Sequence, residues 1–308
     1  MNRLRYLINR LLSNLKKGEF KEIFKKFFKT VVENNKINLD EINLKNINDL
    51  NDIFLRFGSD KGYWDGKKTY EEVILKEDNA SKFKNYLDWV NRDNPNDFKY
   101  QLGTNYGSIY ENLFKKFKND KLRILEIGVA NGHSLAGWYT YFPNAEVYGI
   151  DIKQKHKLFY SGSRLKYFQV DITDKNQVAN FKNKNILFDI IIDNSRHDLS
   201  GYCNNLINFF PILKPGGIYS LEDYGFTDMG INAEYEFNKK NGGFMTSKFP
   251  TTMTKVFNNI KAKTYFKHSF FNEKNLEYLF NNVENIEIFN IENPGWELGV
   301  LTKINNNH

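Results

Sequence analysis

Two apolar stretches in the second half of the chain are each followed directly by polar residues of the kinds that carry chemistry. The stretches are Phe188–Ile192 and Gly217–Leu221. The polar residues behind them are Asp193, Asn194, His197, Glu222 and Asp223. The carboxylates of Glu222 and Asp223, joined by an oxygen donor from the other stretch, would suit a hard divalent cation such as Mg²⁺. His197 would suit the role of general base for a hydroxyl group, because its ordinary pKa lies closest to neutrality.

A loop that contains two glycines follows an earlier apolar stretch, Arg123–Ile127. Its spacing is G-x-x-x-G, from Gly128 to Gly132, and glycine lets the backbone approach a ligand closely. A dinucleotide-binding loop would read G-x-G-x-x-G, which directs a helix N-terminus at a pyrophosphate. Because S-adenosylmethionine carries no phosphate, the observed spacing favours this methyl donor over NAD. The residues expected to contact it here are Glu126, Gly128, Asn131, Gly132 and Ser134.

Acidic residues end the next two apolar stretches along the chain. Asp151 stands near the spacing at which a carboxylate accepts hydrogen bonds from a ribose diol. Asp171 follows at the next strand end, where it would face the adenine amino group, with Ile152 or Ile172 flanking the ring. A helix N-cap is the alternative role for either acid. The ordered spacing of both acids behind the glycine loop favours cofactor binding.

These residues need a scaffold that places the ends of several strands side by side. From Tyr106 onward, short apolar strands alternate with amphipathic helices, a pattern typical of a parallel sheet with crossover helices. We predict an α/β fold: a Rossmann-like, mostly parallel seven-stranded sheet that ends in an antiparallel hairpin, with helices on both faces and a helical N-terminal extension. Ligands bind such sheets at the carboxyl ends of the strands. The predicted strands are Arg123–Ile127, Glu146–Asp151, Leu165–Val170, Phe188–Ile192, Gly217–Leu221, Ile286–Asn290 and Glu297–Thr302.

The chain divides into three parts. Residues 106–308 form the predicted catalytic domain that binds S-adenosylmethionine, and residues 36–105, which are polar and irregular, are interpreted as a cap on the substrate side. Residues 1–35 place apolar residues at helical spacing opposite lysines and arginines, which predicts a basic amphipathic extension. We favour packing of its apolar face on the catalytic domain or on a second subunit of a homo-oligomer. Peripheral contact with an anionic membrane is the alternative.

The composition of the 308 residues is that of a globular protein, with 41% hydrophobic residues and only 6 prolines. The net charge of +7 is compatible with an anionic partner. The single cysteine, Cys203, excludes an intramolecular disulfide, and no run of about 18 uncharged apolar residues predicts a membrane-spanning helix. We therefore expect a cytoplasmic protein, which its basic extension could hold at the inner face of the membrane.

The glycine loop, Asp151 and Asp171 together resemble the motifs of class I S-adenosylmethionine-dependent methyltransferases over residues 106–303. Upstream, residues 57–62 (Phe-Gly-Ser-Asp-Lys-Gly) are similar to the G-[TS]-D-K-G element of one family of these enzymes. That family comprises the metal-dependent macrolide sugar O-methyltransferases and their cephalosporin hydroxylase-like relatives. There this element and a following tyrosine cover the donor, which implies Lys61 and Tyr106 as donor contacts. The alternative for residues 58–62 is a surface turn.

The residues that follow the predicted strands 188–192 and 217–221 resemble the same family. In that family, I-[IV]-D-D-G-S-H precedes P-G-G-x-[YI]-x-x-E-D, which makes His197 the catalytic base and Glu222 and Asp223 metal ligands. The third ligand falls on Asn194, where the family has Asp, so a charge is missing. Asp193, the acid before it, is the alternative ligand, and it is also expected to contact the cofactor and to support catalysis.

The resemblance implies transfer of a methyl group from S-adenosylmethionine to a hydroxyl of a sugar or glycoconjugate. Both a nucleotide sugar and a surface polysaccharide are compatible acceptors, and Mg²⁺ would assist if it is bound. An S-adenosylmethionine-binding module without catalysis, or with a different specificity, is the alternative. A nucleic-acid partner is not expected. Base amino-methyltransferases usually carry [DNS]-P-P-[YFW] after the fourth strand, where residues 193–196 of this chain read Asp-Asn-Ser-Arg.

Overall fold

A computed structural model describes residues 36–42, 49–62, 104–154, 158–228, 252–266, 270–291 and 296–305. The helices predicted for residues 1–35 lie outside these ranges, as does most of the cap predicted for residues 36–105. Within the described ranges, no helix has the length and apolar character needed to span a bilayer.

A seven-stranded sheet forms the centre of the molecule, and a separate two-stranded pair lies apart from it. The strands are β1 (Ile37–Asn38), β2 (Arg123–Ile127), β3 (Glu146–Asp151), β4 (Tyr160–Ser161), β5 (Leu165–Gln169), β6 (Phe188–Asp193), β7 (Leu213–Leu221), β8 (Val283–Phe289) and β9 (Leu298–Lys303). The order in the sheet is β5-β3-β2-β6-β7-β9-β8, in which β9 pairs antiparallel with both β7 and β8 and the other neighbouring strands pair in parallel. The predicted Rossmann-like, mostly parallel sheet with a closing antiparallel hairpin is confirmed.

Two strands begin earlier than their patterns predicted. The predicted strand 217–221 is longer, since β7 starts at Leu213, which pairs with Phe188 ahead of an irregularity in the register. The predicted strand 286–290 starts at Val283, because Val283 pairs with Lys303 across another register shift. Tertiary pairing extends a strand through residues whose local sequence resembles a turn.

Helices cover both faces of the sheet, as predicted. The described helices are α1 (Leu50–Phe57), α2 (Tyr106–Phe114), α3 (His133–Tyr141), α4 (Lys175–Lys182), α5 (Leu199–Phe209), α6 (Gly225–Asp228), α7 (Met253–Lys261) and α8 (Glu273–Asn282). Ile190 and Ile192 belong to the buried cluster that contains Phe54 of α1, whereas Ile191 belongs to the cluster that contains Phe209 of α5. Because successive side chains of a strand point to opposite faces, each face has its own core.

Helix α1 positions the turn that carries Lys61. The Asp49 side chain caps its start, and Gly58, with φ of 67°, ends it in the left-handed conformation that favours glycine. Phe54 packs edge-on against Trp138 of α3, with ring centroids 4.7 Å apart. This contact fixes α1 on the sheet, so that the turn after it lies close to the ends of the central strands.

Candidate functional site

The carboxyl ends of β2, β6 and β7 lie side by side and bring predicted site residues together. Ile127 in β2 pairs with Asp193 in β6, which pairs in turn with Leu221 in β7. The residues that follow each strand, Asn194 and Glu222 among them, therefore leave the sheet at one edge. That edge is where ligands bind in open parallel sheets.

The predicted cofactor loop adopts backbone conformations that favour glycine. The φ angle is 81° at Gly128, 48° at Ala130 and 91° at Gly132, all in the left-handed region. A Cβ atom at position 128 would lie 2.3 Å from the carbonyl oxygen of Asn194. Glycine is therefore required at this position both by its φ angle and by the close approach of the neighbouring strand end.

Asp151 braces this loop from the end of β3. Its Oδ2 atom accepts hydrogen bonds of 2.9 Å from the backbone N–H groups of Val129 and Ala130. Its Oδ1 atom accepts a third, also of 2.9 Å, from the N–H of Lys153. The loop N–H groups that a phosphate would need are thus engaged by a carboxylate, whose negative charge would repel a phosphate. The loop suits a ligand that offers hydroxyl donors.

The residues predicted to surround an adenine ring differ in their accessibility. Ile152, directly after Asp151, is 61% exposed. Ile172 packs against the core instead. The Asp171 carboxylate accepts hydrogen bonds from the N–H and the hydroxyl of Thr173, at 2.9 and 2.6 Å. Ile152 is therefore the better placed of the two isoleucines to contact a ring, and the adenine contact of Asp171 stays a prediction.

Three ionisable side chains form a buried cluster at the ends of β2 and β7: Lys61, Glu126 and Glu222. The Lys61 ammonium forms an ion pair with Glu222, and its Nζ atom lies 3.4 Å from Oε1 of Glu126. The side chains are 1% exposed for Lys61 and 0% for both glutamates. Burial raises the pKa of both carboxyl groups, and the Lys61 charge opposes that rise. Burial also lowers the pKa of Lys61, but the two carboxylates outweigh this effect and hold the amine protonated.

Neutral donors complete this Lys61 cluster. The Ser134 hydroxyl donates to Oε2 of Glu126, and the Tyr110 hydroxyl donates to Oε1 of Glu222, both at 2.7 Å. The predicted contacts of Lys61, Glu126 and Ser134 with a cofactor stay predictions. Asn131 and Gly132 stay on the loop itself.

Asp193 was predicted to serve catalysis and to contact the cofactor, and both roles stay predictions. Its side chain is 0% exposed. Oδ1 accepts hydrogen bonds from Ser195 at 2.7 Å and from Asn205 at 3.0 Å, and Oδ2 accepts one from Tyr219 at 2.8 Å. With neutral donors on both oxygens, the carboxylate holds the turn after β6. Burial raises its pKa to about 6.

His197 lies on the turn after β6, beside a carboxylate at the end of β7. Its Nδ1 atom is 3.4 Å from Oδ2 of Asp223 and 3.3 Å from the Tyr202 hydroxyl. The His197 side chain is 32% exposed, and burial lowers its pKa, so the ring is neutral and able to accept a proton near neutral pH. Positive φ angles of 44° at His197 and 57° at Asp223 show backbone strain at both residues. Strain held at two facing residues is typical of functional sites.

Three tyrosines hold the acids at the end of β7. The Tyr106 hydroxyl lies 2.7 Å from Oδ1 of Asp223 and accepts a hydrogen bond of 3.1 Å from the N–H of that residue. Tyr110 donates to Glu222, and Tyr202 donates to the carbonyl oxygens of Glu222 and Asp223, at 3.1 and 2.9 Å. Tyr106 is 1% exposed and orients Asp223, and its predicted contact with S-adenosylmethionine stays a prediction.

Tyr110 and Tyr202 are not among the predicted site residues. Tyr110 follows Tyr106 by four residues, so both lie on one face of α2, and this spacing was the available signal. Tyr202 lies on the buried face of α5 among apolar residues, where its pattern predicts only a core position. Its polar role arises from residues that fold against it from 20 and 21 positions away.

The residues predicted to hold a magnesium ion have protein partners in the structure, and their metal-binding role stays a prediction. Glu222 is fully buried, and both of its oxygens are bonded to buried donors. The oxygens of Asp223 face a tyrosine and His197, and Asn194 offers only a neutral amide. Within the described part of the chain, no group of three or more His, Cys, Asp or Glu side chains is arranged to hold a metal.

The chain is similar in sequence to several known proteins. No family model matches the chain. It is 31% identical over 121 residues to the mycinamicin VI 2''-O-methyltransferase of Micromonospora griseorubida, covering 37% of this chain and 30% of that protein. It is also 31% identical over 125 residues to the 8-demethyl-8-alpha-L-rhamnosyl tetracenomycin-C 2'-O-methyltransferase of Streptomyces olivaceus, covering 38% of this chain and 32% of that protein.

A structural neighbour is the MycE methyltransferase of the mycinamycin pathway, solved in complex with Mg and SAH. It covers 77% of this chain and 66% of its own, with 18% identity and a TM-score of 0.49, so the fold assignment rests on the strand order above. The sequence matches span about a third of the length of the curated relatives. By sequence, the chain is thus similar to macrolide and tetracenomycin sugar O-methyltransferases, the family that its strand-end motifs predicted.

Proposed function

We propose that this chain is an S-adenosylmethionine-dependent O-methyltransferase that acts on a hydroxyl group of a sugar or glycoconjugate. The observation that carries the proposal is the placement of His197 and Asp223 at the strand ends next to the glycine loop that Asp151 braces. A neutral base therefore lies beside a loop suited to a ligand with hydroxyl groups and no phosphate. The sequence relatives, which are sugar O-methyltransferases by name, support the same reaction class.

The donor would lie along the loop and the end of β3. Asp151 would accept a hydrogen bond from a ribose hydroxyl on Oδ1, since a carboxylate accepts about four hydrogen bonds and backbone N–H groups occupy three of these positions. Ile152 would lose its exposure by packing against the adenine ring. When bound, S-adenosylmethionine supplies a methyl group on a positively charged sulfur. This assignment requires no phosphate contact, in agreement with the engaged N–H groups of Val129 and Ala130.

His197 would act on the acceptor. As the acceptor oxygen forms its bond to the methyl carbon and the carbon–sulfur bond breaks, the hydroxyl proton passes to the His197 ring. Asp223 orients that ring through Nδ1 and stabilises the imidazolium that results. The electron pair of the broken bond stays on sulfur. The larger part of the acceleration would come from holding donor and acceptor in line, because both reactants are bound in one site.

The proposed acceptor is a hydroxyl group of a glycosyl unit. The relatives' names specify methylation at 2'' and 2' positions, which are hydroxyls of glycosyl groups. A sugar hydroxyl is a weak acid, so a positioned base such as His197 is needed to remove its proton during transfer. Membrane contact and oligomerisation through residues 1–35 stay predictions, because those residues lie outside the described ranges.

Donor binding provides the direct test. Calorimetric titration of the full chain with S-adenosylmethionine should show saturable binding that Asp151→Ala abolishes. Asp174→Ala is the matched control, because Asp174 is an exposed acid that only caps α4. Glycosides with free vicinal hydroxyls should then yield methylated product by mass spectrometry. Absence of donor binding by the wild-type chain would contradict the proposal.

A further inference from the structure

We infer that the carboxylate of Glu297 binds a second hydroxyl group of the acceptor, next to the one that is methylated, and so selects acceptors with vicinal hydroxyls. The inference rests on the proposed function and deepens it, because it names a residue that determines which acceptor is bound. Glu297 lies directly before β9 and outside every motif that carries the family resemblance.

The Glu297 carboxylate lies over the turn that follows Asp223. A Cβ atom at Gly225 would lie 1.3 Å from Oε2 of Glu297 and 2.2 Å from its Cδ, so the carboxylate occupies the space that a side chain at position 225 would need. Burial raises the pKa of the Asp223 carboxyl group to about 6, and the nearby charges of Asp60 and Glu297 add to that rise. Glu297 is therefore a neighbour of the carboxylate that faces His197.

Hydrogen bonds on both sides of Asp223 fix the backbone directly before β9. The Tyr106 hydroxyl lies 2.7 Å from the carbonyl oxygen of Trp296 and 2.7 Å from Oδ1 of Asp223. The N–H of Tyr224 donates to the carbonyl oxygen of Glu297 at 3.3 Å. The start of β9 is thus tied to the end of β7, and the fold itself holds the Glu297 carboxylate near Asp223.

One oxygen of this carboxylate has an unfilled capacity to accept hydrogen bonds. Oε2 of Glu297 is buried, and no donor in the described part of the chain forms a hydrogen bond with it. A buried carboxylate oxygen without a donor costs free energy, and a ligand that supplies the donor is one explanation for such an atom. The residue as a whole is only half-buried, so a ligand in the site can reach the carboxylate.

A sugar hydroxyl supplies the donor that this carboxylate lacks. A carboxylate only accepts hydrogen bonds, and its charge repels phosphate and other anions. Within the described ranges, Glu297 belongs to no group of three or more His, Cys, Asp or Glu side chains arranged to hold a metal. A hydroxyl next to the reacting one would donate to Glu297 while the reacting hydroxyl donates to His197. Two contacts on adjacent hydroxyls would orient the acceptor for in-line attack.

Acceptor binding can be measured apart from methyl transfer. With S-adenosylhomocysteine and Mg²⁺ present, the full chain should bind methyl hexopyranosides from a panel of glucose, galactose, mannose and rhamnose derivatives, detected by NMR titration. We expect Glu297→Gln to weaken that binding, and to raise KM, by roughly 10-fold or more, because a hydrogen bond to a charged group is lost. Deletion of the adjacent hydroxyl from the glycoside should weaken wild-type binding by the same factor and have no further effect on Glu297→Gln.

Two further variants support this comparison. Gly225→Ala keeps the charge but displaces the Glu297 carboxylate, since position 225 lies at the start of α6 and its new Cβ would collide only with that flexible side chain. It should also weaken glycoside binding. Glu284→Gln is the matched control, because Glu284 is an exposed acid on the neighbouring strand β8, and it should bind glycosides as wild type does.

Equal glycoside binding by Glu297→Gln and wild type would overturn the inference, as would a loss that is the same for the deoxy glycoside. Saturable Mn²⁺ binding that Glu297→Gln abolishes would also overturn it, because the carboxylate would then serve a metal ion. If circular dichroism shows that Glu297→Gln is unfolded, Gly225→Ala and the deoxy glycosides decide. A chain that binds no S-adenosylmethionine would end the proposed function, whereas one that binds it but none of the glycosides would overturn this inference alone.

Discussion

The Nδ1 atom of His197 lies 3.4 Å from Oδ2 of Asp223, which joins the turn after β6 to the end of β7. The pair is held from both sides, because the Tyr106 hydroxyl bonds Asp223 and the Tyr202 hydroxyl lies 3.3 Å from the same nitrogen of His197. An imidazole oriented by a carboxylate is the arrangement of a general base. It arises from residues 26 positions apart that neighbouring parallel strands bring to one edge.

Removal of the His197 imidazole should slow methyl transfer without loss of S-adenosylmethionine binding. We expect His197→Ala to lower kcat by roughly 10²-fold or more, because general-base catalysis contributes about 10²- to 10⁴-fold. Asp223→Asn should lower kcat by less, since the ring remains and only its orientation and charge stabilisation are lost. Calorimetry should show S-adenosylmethionine affinity within about twofold of wild type for His197→Ala. Equal kcat for His197→Ala and wild type would remove His197 from the mechanism.

The rate should depend on pH through His197. Burial lowers its pKa, so the acid limb of kcat should have its midpoint below pH 6.5, the ordinary value. The sign follows from the chemistry: the base is active when neutral, so the rate rises with pH through the pKa and is level above it. A pH series on a saturating glycoside acceptor measures this limb. A midpoint above pH 7 would show that a different group limits the rate or that acceptor binding reverses the shift.

Gly128→Ala should destabilise the protein more than Gly216→Ala. Both glycines have positive φ, 81° and 71°, so each substitution costs about 1 kcal/mol of backbone strain. At position 128 the new Cβ would also lie 2.3 Å from the Asn194 carbonyl oxygen, whereas at position 216 the nearest atom is 3.6 Å away. We expect a loss of about 2–4 kcal/mol for Gly128→Ala in urea unfolding. Similar losses for both variants would mean that the strand ends separate easily.

Asp193 should show its structural role in the pH dependence of stability. Its pKa is raised by burial from 3.8 to about 6, so the folded state holds a proton that the unfolded state releases. The free energy of unfolding of wild type should therefore fall, relative to Asp193→Asn, as pH rises from about 4 to about 6. Each unit of pKa shift corresponds to about 1.4 kcal/mol.

The control for this measurement is Asp174→Asn, for which the expected pH dependence of stability has the opposite sign. Hydrogen bonds from Gln177 and Asn176 lower the pKa of Asp174, so its contribution is present above pH 3.8 and is lost as pH falls. Over pH 4 to 6, wild type should stay level or gain stability relative to Asp174→Asn. A rise for Asp193 over the same interval would mean that its carboxylate is better solvated than its 0% exposure indicates.

The local sequence was sufficient for the sheet and for the loop. Strands β2 and β3 begin and end where their apolar patterns predicted, because runs of buried apolar residues between turns have few alternatives. The direction of the chain defines which end of each parallel strand is its carboxyl end. The positions of the loop at Gly128, the acid at Asp151 and the histidine at position 197 therefore follow from the sequence once each strand is recognised.

Tertiary structure alone decided which polar residues are buried and which partners they have. Lys61 and Glu222 stand 161 positions apart, and no local pattern shows that they form a buried ion pair. Asp193 is adjacent to Asn194 in the sequence. Only the folded structure shows that the Asp193 carboxylate is enclosed by Ser195, Asn205 and Tyr219. The position of a residue in the sequence determines only where its side chain is attached to the backbone. Its burial and charge partners depend on segments that reach it only after folding, so its pKa and its role are properties of the assembled fold.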